Sequence, residues 1–399
     1  MFAEKFSSGI DCALGPYGKD RYVKTMKNSP LLSKAPKKIL LITTRRIGDV
    51  FLTAPLIASL REAYPDAKID MLVFKGTEGA VFANSALSRI VTVEEGAALP
   101  KQIKTVCRMF RKYDLALTTL TGDRPVFYAR IAGKKSVGFV ENGIKHFWKR
   151  LLLNRYELFD NDDTHTVIMN LSLLKHLGIE PVCQLAAVWT NADESAVRKL
   201  LPFDPAQKRY AVVHCYPMFP YKMWTFEGWK DIIFRLSDSL GLPVILTGGN
   251  AADERDYISD LHRETAGRSI DVAGKISLGG VAFLLSKAAV YVGLDTAVTH
   301  MAAALGVPTV ALYGPTNPVK WGPMPGNHVF PGKSPYRMKG SQVVKNVFLL
   351  QGYGDCVPCR KEGCERNIRS SSKCLQEIPA DAVMQAVEER LAGNVKKMG

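Results

Sequence analysis

Short apolar runs alternate with longer amphipathic ones along most of the chain. Ile39-Leu40-Leu41-Ile42 follows Lys37-Lys38 and stops at Thr43-Thr44-Arg45-Arg46-Ile47-Gly48-Asp49. It is short and β-branched at both ends, which predicts a strand. Val50–Tyr64 then sets Leu52, Leu56, Ile57 and Leu60 on one helical face, with Pro55 in the first turns, where a missing N–H is tolerated. Ile69–Phe74 and Leu115–Leu120 are further strand candidates. A polar stretch, Thr190–Lys208, precedes a second series of the same kind. There Tyr210–His214, Pro243–Thr247, Val290–Leu294 and Thr309–Tyr313 read as strands, and Phe226–Leu240, Gly280–Ala289 and His300–Leu305 as helices. Repeated strand–loop–helix units predict parallel sheets covered by helices. The expected architecture is α/β, two Rossmann-like domains facing each other across a cleft. The expected divisions are an N-terminal extension (1–36), a first domain (37–190), a second domain (208–350), and a cysteine-bearing loop with a C-terminal helix (351–399).

A chain of 399 residues holds two ordinary domains. With 47% hydrophobic and 23% charged residues it has the mix of a soluble globular protein. No run reaches the roughly 18 apolar residues of a membrane span. Residues 1–36 carry Glu4, Lys5, Asp11, Lys19, Asp20 and Arg21 and lack the apolar core of a secretory signal. A cytoplasmic, reducing location is therefore expected, with Cys12, Cys107, Cys183 and Cys215 as plain thiols. The formal charge of +15 either solubilises the surface or meets an anionic partner: nucleic acid, an acidic membrane or a phosphorylated substrate. Zinc-finger spacing, RNA-binding signatures and basic-region heptads are missing, so nucleic acid is not an expected partner.

Three loops at predicted strand ends carry the candidate chemistry, where ligands of such sheets bind. Gly48-Asp49 puts a carboxylate at the mouth of the first helix. It can serve as a general base towards a hydroxyl or as a helix cap. Lys222, in Tyr-Lys-Met-Trp, can neutralise a diphosphate or simply lie solvated on a loop. The third loop runs Asp295-Thr296-Ala297-Val298-Thr299-His300 into an alanine-rich helix closed by Gly306 and Pro308. A helix N-terminus suits a diphosphate, and an aspartate beside it suits sugar hydroxyls. The alternative is an Asp or Thr cap with a buried His300. Tyr313-Gly314-Pro315-Thr316 then forms a tight turn at the same end.

This ordered set resembles glycosyltransferase family 9, the ADP-heptose:lipopolysaccharide heptosyltransferases. Arg46-Ile47-Gly48-Asp49 is similar to the family's first-loop Gly-Asp signature, Lys222-Met223-Trp224 to its Lys-x-Trp element, and Asp295 through His300 to its Asp-Thr-x-x-x-His signature, with Gly314-Pro315-Thr316 following. The resemblance spans residues 37–323. It implies a GT-B fold and an inverting transfer without a required cofactor, from an ADP-heptose donor to a lipid A-linked core acceptor. It implies Asp49 as the base, with Lys222, Asp295 and His300 at the donor; Thr296, Ala297 and Gly314 are expected there too. The chain departs from the family between His214 and Lys222, where Cys215, Tyr216, Pro217, Met218 and Phe219 replace small or hydroxylated residues. That leaves room for another nucleotide-sugar or a protein acceptor, and for a non-catalytic binding module.

Two features lie outside that set. Cys356-x2-Cys359-x4-Cys364-x9-Cys374 fits a structural zinc or iron site, or four reduced thiols. Ile144, Phe147, Trp148, Leu151 and Leu152 are spaced as one helical face among Lys145, Lys149, Arg150 and Arg155. Such a helix can lie on an anionic membrane, here the cytoplasmic face of the inner membrane, or bury its stripe in the core.

Overall fold

The first apolar run is a strand, β1 (Lys38–Thr43), buried on both faces after Lys38. That burial is what a continuous hydrophobic run in a helix-covered parallel sheet requires. The computed structural model describes residues 31–183, 185–326 and 332–398. Around β1 stand β2 (Lys68–Phe74), β3 (Arg89–Val93), β4 (Tyr113–Thr118), β5 (Gly133–Val140) and β6 (Arg155–Leu158). All pair in parallel, in the order β3-β2-β1-β4-β5-β6.

The second sheet uses β7 (Ala211–His214), β8 (Val244–Leu246), β9 (Ser269–Asp271), β10 (Val290–Leu294), β11 (Thr309–Tyr313), β12 (Gln342–Val344) and β13 (Val347–Gln351). Its order is β12-β13-β11-β10-β7-β8-β9, with only β12 antiparallel, at the edge. Read outward from β7, this repeats the 3-2-1-4-5-6 winding of the first sheet. Each sheet therefore has a switch point where the winding reverses: between β1 and β4, and between β7 and β10.

Several predicted elements differ in detail. The helix expected over Val50–Tyr64 is two, Ile47–Phe51 and Ala54–Ala63. The chain breaks at Leu52-Thr53, and Pro55 opens the second helix, where proline belongs. The polar stretch after Thr190 is largely a helix, Asn191–Leu200, held by a capping box between Thr190 and Asp193. Residues 1–30 of the expected extension lie outside the described residues, while Leu31 is buried in the first core. The last helix, Ala380–Met398, sends Val383, Met384 and Val387 into the core of the second sheet.

One cluster of buried apolar side chains joins the two halves. It runs from Leu56, Ile57 and Leu60 under the first sheet to Leu284, Met301 and Ala302 on helices of the second.

Candidate functional site

Both switch points open towards one another. After β1 come Arg45 and the helix Ile47–Phe51, and after β4 come Thr119 and Leu120. After β7 the chain runs through Cys215 to a short turn at Pro220–Lys222, and after β10 come Asp295 and the helix Ala297–Ala304. Gly48 lies against Ala297 and His300: a Cβ built on Gly48 would stand 3.7 Å from Ala297 Cα and 3.8 Å from His300 Cδ2. Two motifs almost 250 positions apart thus share one wall.

Asp49 sits in the first turn of its helix, while Arg46 occupies the cap position. The capping alternative is therefore only partly met, because Asp49 reaches back to backbone N–H groups without being the cap residue. Burial raises its carboxyl above the usual range, opposed by the charges of Arg45 and Lys222 and by those N–H groups. Arg45 Nε stands 3.4 Å from its Oδ1.

Lys222 is paired, not solvated. Its Nζ lies 2.5 Å from Asp295 Oδ2, which also accepts from Thr316 Oγ1 at 2.8 Å. Burial alone would discharge both groups. Their mutual attraction wins, so the Asp295 carboxyl falls below its ordinary value and the Lys222 ammonium rises above its own. Tyr313 OH lies 3.2 Å from Asp295 Oδ1 and 2.8 Å from the Trp321 carbonyl. One hydroxyl proton serves only one of them at a time. Thr296 is the cap residue of the Ala297–Ala304 helix but makes no side-chain cap bond. His300 is buried, held down to about 4 chiefly by desolvation. Its Nδ1 has no hydrogen-bond partner among the described residues.

A latch closes one side of the cleft. Asn317 caps the helix Pro318–Trp321 with its Oδ1 and donates from Nδ2 to the Asp162 carbonyl at 2.8 Å. Thr166 Oγ1 donates to the Lys320 carbonyl at 3.1 Å. His165 Nδ1 accepts from Val167 N–H, so Nε2 carries the proton and donates to the Gly322 carbonyl at 2.8 Å. Arg360 pairs with Asp162 across the same gap.

The pattern describing glycosyltransferase family 9 (heptosyltransferase) matches residues 108–344, more than half of the chain. The chain belongs to glycosyltransferase family 9. It is 28% identical to lipopolysaccharide heptosyltransferase 3 of Escherichia coli (strain K12), over 86% of this chain and 95% of that one. It is 27% identical to lipopolysaccharide heptosyltransferase 1 of Escherichia coli O18:K1:H7, over 88% and 97%. The structure of E. coli ADP-heptose lps heptosyltransferase II superposes with a TM-score of 0.68 at 18% identity, over 90% of this chain and 99% of that one. The fold is GT-B, two Rossmann-like domains face to face.

Within this family 9 fold, the sequence-expected residues Asp49, Lys222, Asp295, Thr296, Ala297 and His300 come together. Gly314 stands at the end of β11 with its Cα face closed: an added Cβ would fall 2.5 Å from Leu375 and 3.2 Å from Cys374 Sγ. Sequence reasoning passed over Arg45, Lys320 and Trp321. With Asp49, Thr119, Leu120, Phe159 and Asn170 they line a narrow cavity at the first switch point. Lys320 lies in an Asn-Pro-Val-Lys-Trp stretch, where Asn-Pro signals a helix start but nothing signals a site.

The four-cysteine loop buttresses the second domain. Ser372 Oγ donates to the Tyr221 carbonyl at 2.5 Å and Arg360 N–H to the Pro315 carbonyl at 2.7 Å, beside Lys222 and Thr316. Cys374 is buried, and burial together with the thiols of Cys359, Cys364 and Cys356 pushes its own thiol up to about 11. No group of three or more His, Cys, Asp or Glu among the described residues is arranged to hold an ion. Cys374 Sγ packs on Gly314, and Cys364 Sγ accepts from Lys373 N–H at 3.4 Å.

The basic helix is Phe147–Leu152, following a turn at Ile144–His146. Its apolar stripe is divided: Ile144 is 88% exposed, Leu151 77% and Phe147 56%, while Leu152 packs against the first domain's core. Trp148 stacks on Phe127, and Lys149 is buried, donating to the Thr121 carbonyl at 2.7 Å and paired with Asp123. No helix among the described residues is long and apolar enough to cross a membrane.

Proposed function

We propose that the protein is an inverting heptosyltransferase that moves heptose from ADP-heptose onto the inner core of lipopolysaccharide. The observation that carries this reading is the placement of Asp49 opposite the Lys222–Asp295 pair, with the uncapped N-terminus of the Ala297–Ala304 helix between them. The acceptor hydroxyl lies in the cavity at the first switch point and gives its proton to Asp49 as its oxygen attacks the anomeric carbon. The bond from that carbon to the diphosphate breaks, and ADP leaves with the electron pair. Lys222 and the helix N-terminus stabilise the charge that gathers on the leaving phosphate. A carboxyl raised by burial suits a base, since its proton affinity lies nearer that of the hydroxyl it serves. The unpartnered His300 Nδ1 is available to the donor. The names of the curated relatives supply the sugar and the acceptor class.

The enzyme meets its lipid-linked acceptor as a peripheral protein on the cytoplasmic face of the inner membrane. Ile144, Phe147 and Leu151 enter the lipid, and Lys145 lies against its anionic surface.

A donor screen tests the central reading: ADP-heptose against UDP- and GDP-sugars with a core acceptor, the product weighed by mass spectrometry. Addition of one heptose from ADP-heptose alone is expected. Transfer from a UDP- or GDP-sugar instead would replace the donor assignment. A structural zinc or iron at Cys356, Cys359, Cys364 and Cys374 is separate from this chemistry. Elemental analysis of the purified protein decides it, with about one ion per chain as the supporting result.

A further inference from the structure

Lys320 is 1% exposed, among the most enclosed lysines that a folded chain tolerates. Its Nζ donates to the Asp160 carbonyl and lies 4.3 Å from the centre of the Phe159 ring. No carboxylate stands within ion-pair distance of it among the described residues. The nearby Asp160 carboxylate is already taken by the N–H groups of Asp162 and Asp163 and by the Thr164 hydroxyl. Asp162 is taken by Arg360. An ammonium has three donors, and a buried charge is costly unless it is paired. Burial accordingly pulls the Lys320 ammonium down to about 8, although Asp160, Asp162 and Asp49 oppose the fall and Arg45 adds to it.

Lys320 and Asp49 line the same cavity, and Phe159, under the Lys320 ammonium, lines it too. Arg45 stands at the same cavity with its guanidinium 5.8 Å from the Trp321 ring centre and half of its side chain in solvent. Two cations therefore meet one carboxylate in a space with an indole wall, which suits a sugar ring carrying a negative group.

We infer that Lys320, with Arg45 beside it, binds an anionic group on the acceptor sugar, a carboxylate or a phosphate, and so sets which hydroxyl reaches Asp49. This rests on the acceptor lying in the first-switch-point cavity, as the proposed function places it. The contact supplies the counter-charge that Lys320 lacks. It also couples acceptor binding to the latch, since Lys320 holds the Asp160 carbonyl from the opposite domain.

Calorimetric titration tests the inference without turnover. The free sugar acid Kdo (3-deoxy-manno-octulosonic acid), a carboxylate, is compared with its neutral amide, and a heptose phosphate with free heptose, on wild type, Lys320→Met and Lys320→Arg. In wild type one anionic probe should bind roughly 10- to 100-fold more tightly than its neutral counterpart, the range for hydrogen bonds to charged groups. Whichever pair shows the difference identifies carboxylate or phosphate. In Lys320→Met the ratio should collapse towards one, and Lys320→Arg should restore part of it, with ADP affinity unchanged in both. A ratio near one in wild type, no binding of any probe, or a ratio that survives Lys320→Met each overturns the assignment. Transfer from ADP-heptose, assayed on the same proteins, reports separately: its failure with the binding ratios intact would overturn the proposed reaction and leave the anion site standing.

Discussion

Lys222 and Asp295, 73 positions apart, form an ion pair at 2.5 Å in the wall of the interdomain cleft. The pair alters what each residue does. Asp295 already accepts from Lys222 and Thr316 and faces Tyr313, so it has little capacity left for sugar hydroxyls. Its main effect is to hold the ammonium in place. Asp295→Ala should therefore weaken ADP and ADP-heptose by similar factors in calorimetry. A loss confined to the sugar nucleotide would mean that Asp295 reads the sugar directly.

Removing one partner of this pair leaves the other charged and enclosed, which costs about 3–5 kcal/mol at buried sites. Partial solvent access at Lys222 should bring the cost below that range. Lys222→Met should lower both donor affinity and melting temperature. Lys222→Met combined with Asp295→Asn should recover much of the melting temperature and none of the donor affinity. Calorimetry and thermal melts on the three variants separate the two effects.

Asp49→Asn keeps the size of the side chain and removes the proposed base. Transfer should fall by ~10²–10⁴-fold while donor affinity stays within a small factor of wild type. In wild type, the acidic limb of the rate profile should lie above the range of an ordinary aspartate, since burial raises this carboxyl. Single-turnover rates against pH locate it; turnover of the variant within about threefold of wild type would remove Asp49 from the role.

His214 and His300 are both held near 4 by burial, against an ordinary value of 6.5. The unfolded chain therefore binds more protons than the folded one between those values. Their contribution to stability is complete above about pH 6.5 and is lost as pH falls towards 4. Melting temperature should drop across that window. His300→Gln should flatten the drop, and an unchanged slope would mean that His300 titrates alike in both states.

The exposed stripe predicts lipid binding that depends on shape as well as charge. Changing Ile144, Phe147 and Leu151 to Ser should reduce binding to anionic vesicles without lowering melting temperature, because these side chains are already in solvent. Lys145→Gln should weaken binding by roughly 1 kcal/mol, with the effect fading as salt rises. Lys149→Gln should instead destabilise the fold, since its ammonium is buried against Thr121 and Asp123. Salt-independent binding, or none in wild type, would leave the stripe without a lipid partner.

Strands whose residues are buried on both faces, such as Ile39–Ile42 and Val290–Leu294, were plain in the sequence because burial on both sides demands unbroken hydrophobicity. Edge strands were not: Arg89–Val93 and Arg155–Leu158 are half-exposed and carry no such run. The helix at Asn191 hid in a polar stretch, although Thr190 and Asp193 spelled its capping box. Motifs located Asp49, Lys222 and Asp295, yet no spacing rule pairs Lys222 with Asp295, because the contact is made by two switch-point loops of one sheet. Lys320 was invisible for a related reason. Its meaning comes from the carboxylates around it, each already engaged by another group.

The apolar seam from Leu56 to Met301 limits how this enzyme can be re-engineered. A chimera that exchanges the second half for that of a relative would set a foreign helix against Gly48, Val50 and Phe51. The Ile47–Phe51 and Ala297–Ala304 helices must therefore be transplanted together, or the seam redesigned on both sides at once. The two walls of the cleft are, in this protein, changed together or not at all.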